Sequence, residues 1–284
     1  MKPAAFSYVK PATLSDALGL LSKHGGDAQI LAGGQSLVPT LNMRLSAPDL
    51  LVDINGLDEL YGVELASNHI RIGSLTRHVD IENSGVIATH CPLIAAAMPH
   101  IAHPAIRNRG TFGGSIALAD PAAELPACIC ALEAEIEVVG DKGKRKIAAK
   151  DFFKDLYETD LKDGEIVTAI EVPLVTRETR LAFDELSRRH GDYAMAGLAV
   201  NAKMNDKKIE NINICFFAIS GTPVLAEGAA KILNNSIIDD DSLNKAIGQL
   251  ESDLDPISDL YASSALKMHY AKELLKRNLG NWIS

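Results

Sequence analysis

Besides Gly25–Gly26, which closes a helical stretch, two pairs of adjacent glycines interrupt this chain, Gly33–Gly34 within LAGGQSLVPTLNMRL and Gly113–Gly114 within GTFGGSIA. Each pair marks a bend that neither a helix interior nor a strand interior favours. The first follows an apolar run (Ala28, Ile30, Leu31, Ala32) and precedes a segment that reads as a short helix, Ser36 to Arg44. It therefore sits at a strand-to-helix turn. Glycine lets backbone approach a ligand closely, and successive N–H groups form an anion-binding concavity, helped by a following helix N-terminus. Ser36, Thr111 and Ser115 add hydroxyl donors. Such turns suit a phosphate or diphosphate held by backbone rather than by lysine. They also suit two tight turns with no ligand. Neither matches G-x-G-x-x-G or the Walker pattern, and spacing alone leaves both readings open.

Periodicity places these turns in a frame. PATLSDALGLLSKHGG reads as a helix with Thr13 as N-cap, Asp16 completing a capping box and Gly25 stopping it. AQILA and LLVDI read as short buried strands, and LYGVELASNHIRIGSLT as a hairpin around ASN. Helices are expected from Thr76 and from Pro92 to His100. Residues 102–134 read as a loop-rich stretch ending in a helix that Pro121 opens at N1. AEIEVVGDKGKRKIAA is a hairpin, and EIVTAIEVP is a strand that stops at Pro173. The composition turns polar around 174–182, which marks a domain boundary. Beyond it come three strands (181–189, 197–205, 208–220) and three helices (223–233, 240–251, 259–277), an α+β layer domain.

The totals exclude several classes. At 284 residues, with 23% charged and 47% hydrophobic residues, the chain is long enough for two ordinary domains. A net charge of -9 argues against nucleic acid or an anionic membrane surface as partner. No apolar run approaches the roughly 20 residues of a membrane span. The N-terminus has no signal-peptide h-region, so the expected location is cytoplasmic. Cys91, Cys128, Cys130 and Cys215 lack zinc or iron–sulfur spacing and read as buried thiols, and His90, His100 and His103 lack metal spacing on one helix face. No metal site is expected, and no nucleophile–base pair suggests hydrolysis.

Taken together, ILAGGQSLVPTLNMRL, IRNRGTFGGSIALADPAAELPA, DGEIVTAIEVP and SRRHGDYAMAGLAV resemble the FAD-binding medium subunits of molybdenum hydroxylases, the family of the carbon monoxide dehydrogenase medium subunit and the xanthine dehydrogenase flavin domain. The resemblance runs from Phe6 to the C-terminal helix. It implies a vanillyl-alcohol-oxidase-type (PCMH) FAD-binding domain of two α+β subdomains over 1–176. A C-terminal α+β domain, a three-stranded antiparallel sheet with helices, would span 177–284. It also implies non-covalent FAD with its diphosphate on the two glycine turns. The first turn carries over as Leu31, Ala32, Gly33, Gly34, Gln35, Ser36 and Leu37, with Gln35 where many members have His. The second carries over as Thr111, Gly113, Gly114 and Ser115, with Ser115 where many have Asn. Asp120 and Glu124 match acidic positions, one of which takes the ribose hydroxyls. Val167 matches an apolar position near the adenine or flavin edge, and Ile101 and Ala102 match the segment against the isoalloxazine. Asp184 stands where the xanthine dehydrogenase relative has a flavin-contacting lysine.

The resemblance further implies an electron-transfer role in a heterotrimer, assembled as a dimer of heterotrimers. A large subunit would hold the molybdenum cofactor, a small subunit two 2Fe–2S clusters, and the FAD would pass electrons to quinone, NAD or oxygen. Tyr193 reads either as a flavin-ring neighbour or as a half-buried loop tyrosine. Arg107 and Arg109 could steady a flavin phosphate or a partner subunit but read rather as structural residues of a turn, and His78 reads as the start of a capped surface helix, although the family has a similar Thr–His element near the flavin. Competing functions are a self-contained FAD-dependent oxidase or reductase of the same fold and a non-enzymatic nucleotide-binding or scaffold protein.

Overall fold

A computed structural model describes residues 2–283. The N-terminal part is built on two sheets. A small parallel sheet takes the order Ser7–Val9, Leu50–Asp53, Ala28–Leu31. Helix Leu14–His24 packs on it, burying Ala17 and Leu21 against Leu50 and Val52. Thr13 caps that helix, its hydroxyl accepting from the Asp16 N–H at 3.1 Å. The reciprocal half differs from a full capping box, because the Asp16 carboxylate accepts from the Thr13 hydroxyl at 2.7 Å. Gly25 ends the helix at φ +52°, a conformation that costs glycine little.

The second sheet is antiparallel, in the order Val63–Leu65, His69–Gly73, Ile166–Pro173, Glu135–Gly140, Gly143–Ala148. Its central strand arrives last in the chain and pairs with both hairpins, with a register shift between Val167 and Ala169. Alternation in sequence reports these strands faithfully, because each has one face on a core of Ile70, Ile72, Ile136, Val138 and Ile170.

The connecting helices are where the sequence expectations slip. The helix expected from Thr76 begins at His78. Thr76 is instead buried, its hydroxyl bonded to both the N–H and the carbonyl of Gly62. The stretch expected to be loop-rich holds helices Pro104–Arg107 and Phe112–Leu118. The helix that Pro121 was expected to open spans Glu124–Ala131, with Ala123 as its N-cap. Pro121 lies in the turn before it, held by its carbonyl to the Ala218 N–H.

The C-terminal part has the three expected antiparallel strands, Thr179–Ser187, Ala194–Asn205 and Lys208–Phe217. A two-residue fourth, Val224–Leu225, stands where a helix was expected to start, so that helix runs only Glu227–Leu233. Helices Asp240–Asp253 and Ser264–Gly280 complete the layer. One face of this sheet (Leu198, Val200, Ile214, Phe216) meets these helices, and the other (Ala199, Cys215, Phe217) shares the core of the N-terminal part. Helix Glu124–Ala131, buried at every position, forms that junction.

Candidate functional site

The two glycine turns face one cavity of about 740 Å³, between the parallel sheet, the antiparallel sheet and the loop before Ala194. Its walls include every candidate residue named above except Leu31: Ala32 to Leu37, Ile101, Ala102, Thr111, Gly113, Gly114, Ser115, Asp120, Glu124, Val167 and Tyr193. Leu31 ends its strand and gives its carbonyl to the Ile54 N–H. The volume is in the range of small-molecule and cofactor sites, roughly 300–1,000 Å³.

The turns are not equivalent. At the first, the N–H groups of Gly33, Gly34, Gln35, Ser36 and Leu37 find no protein acceptor among the described residues. Gly34 adopts φ +71°, and the Gln35 side chain donates back to the Gly33 carbonyl at 3.0 Å. This is a row of open amide donors. At the second turn the amides are already engaged, contrary to the sequence expectation. Phe112 and Gly113 donate to the Thr76 and Ser74 carbonyls, Gly114 to the Thr111 hydroxyl and Ser115 to the Thr111 carbonyl. The reason is that Thr111 caps helix Phe112–Leu118 and 110–112 pairs with 76–78 in a short strand-like bridge. Here glycine serves close packing, for a Cβ on Gly113 would stand 2.4 Å from the Ser74 Cβ.

Three of the four buried side-chain polar atoms without a partner among the described residues belong to this wall: Ser74 Oγ and both ring nitrogens of His78. Buried polar atoms are normally satisfied, so their gathering here marks a place built for an added group. No lysine or arginine lines the cavity. An amide row, orphaned polar atoms and aliphatic walls (Ile30, Ile54, Ile101, Ile106, Val167) fit a dinucleotide that is anionic at its centre and flat at its ends.

Two arginines stand behind the wall. Arg107, nearly buried, forms a bidentate pair with Glu82 (2.8 and 3.1 Å) and donates to the Ile101 carbonyl at 3.0 Å. It thereby braces Ala102, whose φ is +47°. The carbonyl of Ala102 in turn packs on Gly191, where a Cβ would come within 2.6 Å of its oxygen. Arg77, which the sequence reading passed over, reaches the Arg109 carbonyl and, at 2.5 Å, Asn55 Oδ1.

Electrostatics divide the far wall. Burial pushes the Glu124 carboxyl up to about 8, reinforced by the Glu185 and Asp120 carboxylates. Burial also raises Asp120, against a bond from the Ala122 N–H at 2.9 Å. Burial holds His78 down at about 4, helped by the charges of Arg107 and Arg77. His78 is thus a neutral, buried wall residue and not part of a capped surface helix. Tyr193 is 72% exposed at the cavity mouth rather than half-buried. Asp184 lies elsewhere, accepting from Arg277 Nε (2.7 Å) and Asn278 Nδ2 (2.8 Å) on the C-terminal helix. The four cysteines are buried and free, and burial pushes the Cys91 thiol up to about 12. Among the described residues no group of three His, Cys, Asp or Glu side chains could hold a metal ion, and no helix is long and apolar enough to cross a membrane.

A parallel sheet and an antiparallel sheet closing on a dinucleotide-sized cavity, with an appended sheet-and-helix layer, define the class: a two-part protein with a dinucleotide-sized site. Residues 4–175 match the FAD binding domain in molybdopterin dehydrogenase, and residues 181–281 match the CO dehydrogenase flavoprotein C-terminal domain. The chain belongs to the family of FAD-binding medium subunits of molybdenum hydroxylases. It is 38% identical to the 6-hydroxypseudooxynicotine dehydrogenase complex subunit alpha of Paenarthrobacter nicotinovorans, over 98% of this chain and 95% of that one. It is 35% identical to the carbon monoxide dehydrogenase medium chain of Afipia carboxidovorans, over 98% and 96%. Its structure superposes on carbon monoxide dehydrogenase from Hydrogenophaga pseudoflava with a TM-score of 0.97, at 33% identity and over the whole of both chains.

Proposed function

We propose that this chain is the electron-transfer subunit of a three-subunit molybdenum hydroxylase, divided into a cofactor domain (1–176) and a C-terminal domain (177–284). The observation that carries the reading is the row of unpartnered amides from Gly33 to Leu37 in a cavity wall without lysine or arginine. Those amides hold the FAD diphosphate, as fixed dipoles that need no reorganisation. The Ser36 and Ser115 hydroxyls add donors, and Asp120 or Glu124 receives the ribose hydroxyls. Ile101, Ala102 and Val167 form the apolar bed, with Tyr193 over the exposed side of the ring system. FAD, when bound, supplies the redox chemistry, linking 2Fe–2S clusters of a small partner subunit to an acceptor such as quinone, NAD or oxygen.

The large partner would carry the molybdenum cofactor and act on the organic substrate. Relatives named as medium or alpha subunits of such complexes support this division of labour. A dimer of heterotrimers in the cytoplasm is the assembly this implies. Purification from the native host tests it, with a visible spectrum and a gel. Flavin and iron–sulfur absorbance with one larger and one smaller companion band is expected. Flavin alone on a lone chain that turns over a substrate would instead support a self-contained oxidase or reductase. No flavin even after adding FAD would point to a scaffold role.

A further inference from the structure

We propose that Arg77 and Asn55 are positioning residues that fix the spacing and orientation of the two glycine turns for a dinucleotide diphosphate. The inference rests on the FAD reading above. Neither side chain lines the cavity. Asn55 follows strand Leu50–Asp53 and is itself pinned by Asp53 Oδ1, which accepts from the Asn55 N–H at 2.9 Å and from Nδ2 at 2.6 Å. The same Nδ2 donates to the Ala32 carbonyl at 2.8 Å. Arg77 then joins Asn55 Oδ1 to the Arg109 carbonyl through two arms of one guanidinium. The path runs Ala32, Asn55, Arg77, Arg109. Among the described residues no hydrogen bond joins 31–37 directly to 109–115, so this relay is their polar link.

The relay also sets a direction. The chain has no cis peptide bond among the described residues, so the Ala32 carbonyl and the Gly33 N–H point opposite ways on one rigid plane. Tying that carbonyl back to Asn55 turns the Gly33 N–H, the first of the unpartnered row, away from Asn55. A carbonyl that accepts a hydrogen bond polarises its peptide and strengthens the N–H at the other end. Arg77 thus delivers its charge to the amide row indirectly, in a wall that has no cation of its own. Its planar fork matters here, because lysine keeps the charge but cannot hold two acceptors at fixed geometry.

The test is an equilibrium FAD titration of the full-length chain carrying Arg77→Lys, Asn55→Ala or both, with ³¹P spectra of the bound diphosphate. Each single variant is expected to weaken FAD binding by about tenfold or more, the scale of one lost charge-assisted bond. The double variant should be no weaker than the worse single one, because both break the same relay. The diphosphate resonances should move in the variants. FAD affinity within twofold of the parent chain in both single variants, or losses that simply add, would overturn the relay. Should Arg77→Lys fail to fold, Asn55→Asp keeps an oxygen for Arg77, removes only the Nδ2 donor to Ala32 and carries the same expectation. Absence of FAD binding by the unaltered chain would overturn the cofactor reading itself, and the relay with it.

Discussion

A Cβ built on Gly33 would stand 2.4 Å from the carbonyl oxygen of Arg109 and 3.0 Å from the Cα of Gly110. The first glycine turn therefore rests on the backbone of the second at a point where any side chain collides. The same Arg109 carbonyl accepts from Arg77. Glycine is needed at position 33 for contact between the turns, and the ligand gains from it at second hand. This differs from the simplest expectation, that a Cβ there would fill the space of the diphosphate.

Gly33→Ala should accordingly damage the protein before any ligand is added. The obstacle is backbone and cannot swing aside, so a loss of about 1–3 kcal/mol is expected, typical of overpacking. Denaturant unfolding of the FAD-free chain measures it, and FAD content should fall in parallel. Full stability with lost FAD would mean that the Cβ points into the cavity after all.

Glu124 and His78 should tilt stability with pH in opposite senses. The Glu124 carboxyl is raised to about 8, so between about 4.5 and 8 the folded chain holds a proton that the unfolded chain has released. Stability from this group is full below pH 4.5 and falls as pH rises, by up to about 1.4 kcal/mol per pH unit. His78 is lowered to about 4, so its contribution is full above about 6.5 and falls as pH drops toward 4. Unfolding curves of Glu124→Gln at pH 5 and pH 8 should differ less than those of the parent chain. An unchanged difference would mean that Glu124 titrates normally.

Tyr193→Ala should leave the fold alone, since the ring is mostly exposed and substitutions at such sites usually stay within about 0.5 kcal/mol. Bound-flavin fluorescence should change, because the ring lines the cavity mouth. Fluorescence identical to the parent would remove Tyr193 from the flavin's surroundings.

Asp184→Ala should do the reverse. Its carboxylate bonds to Arg277 and Asn278 on the last helix and not to the cavity. A stability loss of about 1 kcal/mol with unchanged FAD affinity is expected, the scale of a partly exposed ion pair with added hydrogen bonds. A change in FAD affinity would place this position at the site.

What could be read ahead of the structure follows from how local each feature is. The hairpins declared themselves because the period is short and one face of strands such as His69–Gly73 is the more buried, and Ile166–Pro173, buried on both faces over its first five residues, did so as an apolar run that stops at Pro173. Helices Gly85–His90, Pro104–Arg107 and Phe112–Leu118 did not, being too short to repeat a 3.6-residue pattern. The ordered motifs around the two turns gathered more than half of the cavity wall, because those segments carry the small residues it needs, but not Ile54, Ser74, Leu75 or His78. Arg77 and Asn55 escaped notice since their meaning arises only when distant turns meet; a lone arginine beside a helix start looks like any other. The engaged Phe112 and Gly113 amides of the second turn escaped for the same reason, as their acceptors lie on Thr76 and Ser74. His78 lies beside Arg77 in TRHVD, and only folding buries it under Gly110.

The central claim is that the amide row from Gly33 to Leu37 holds the diphosphate of FAD. Competitive titration of the full-length, flavin-free chain with FAD, FMN and ADP tests it most directly. One FAD bound per chain, displaced by ADP and bound far more tightly than FMN, is the expected result. FMN bound as tightly as FAD, with no competition from ADP, would contradict it.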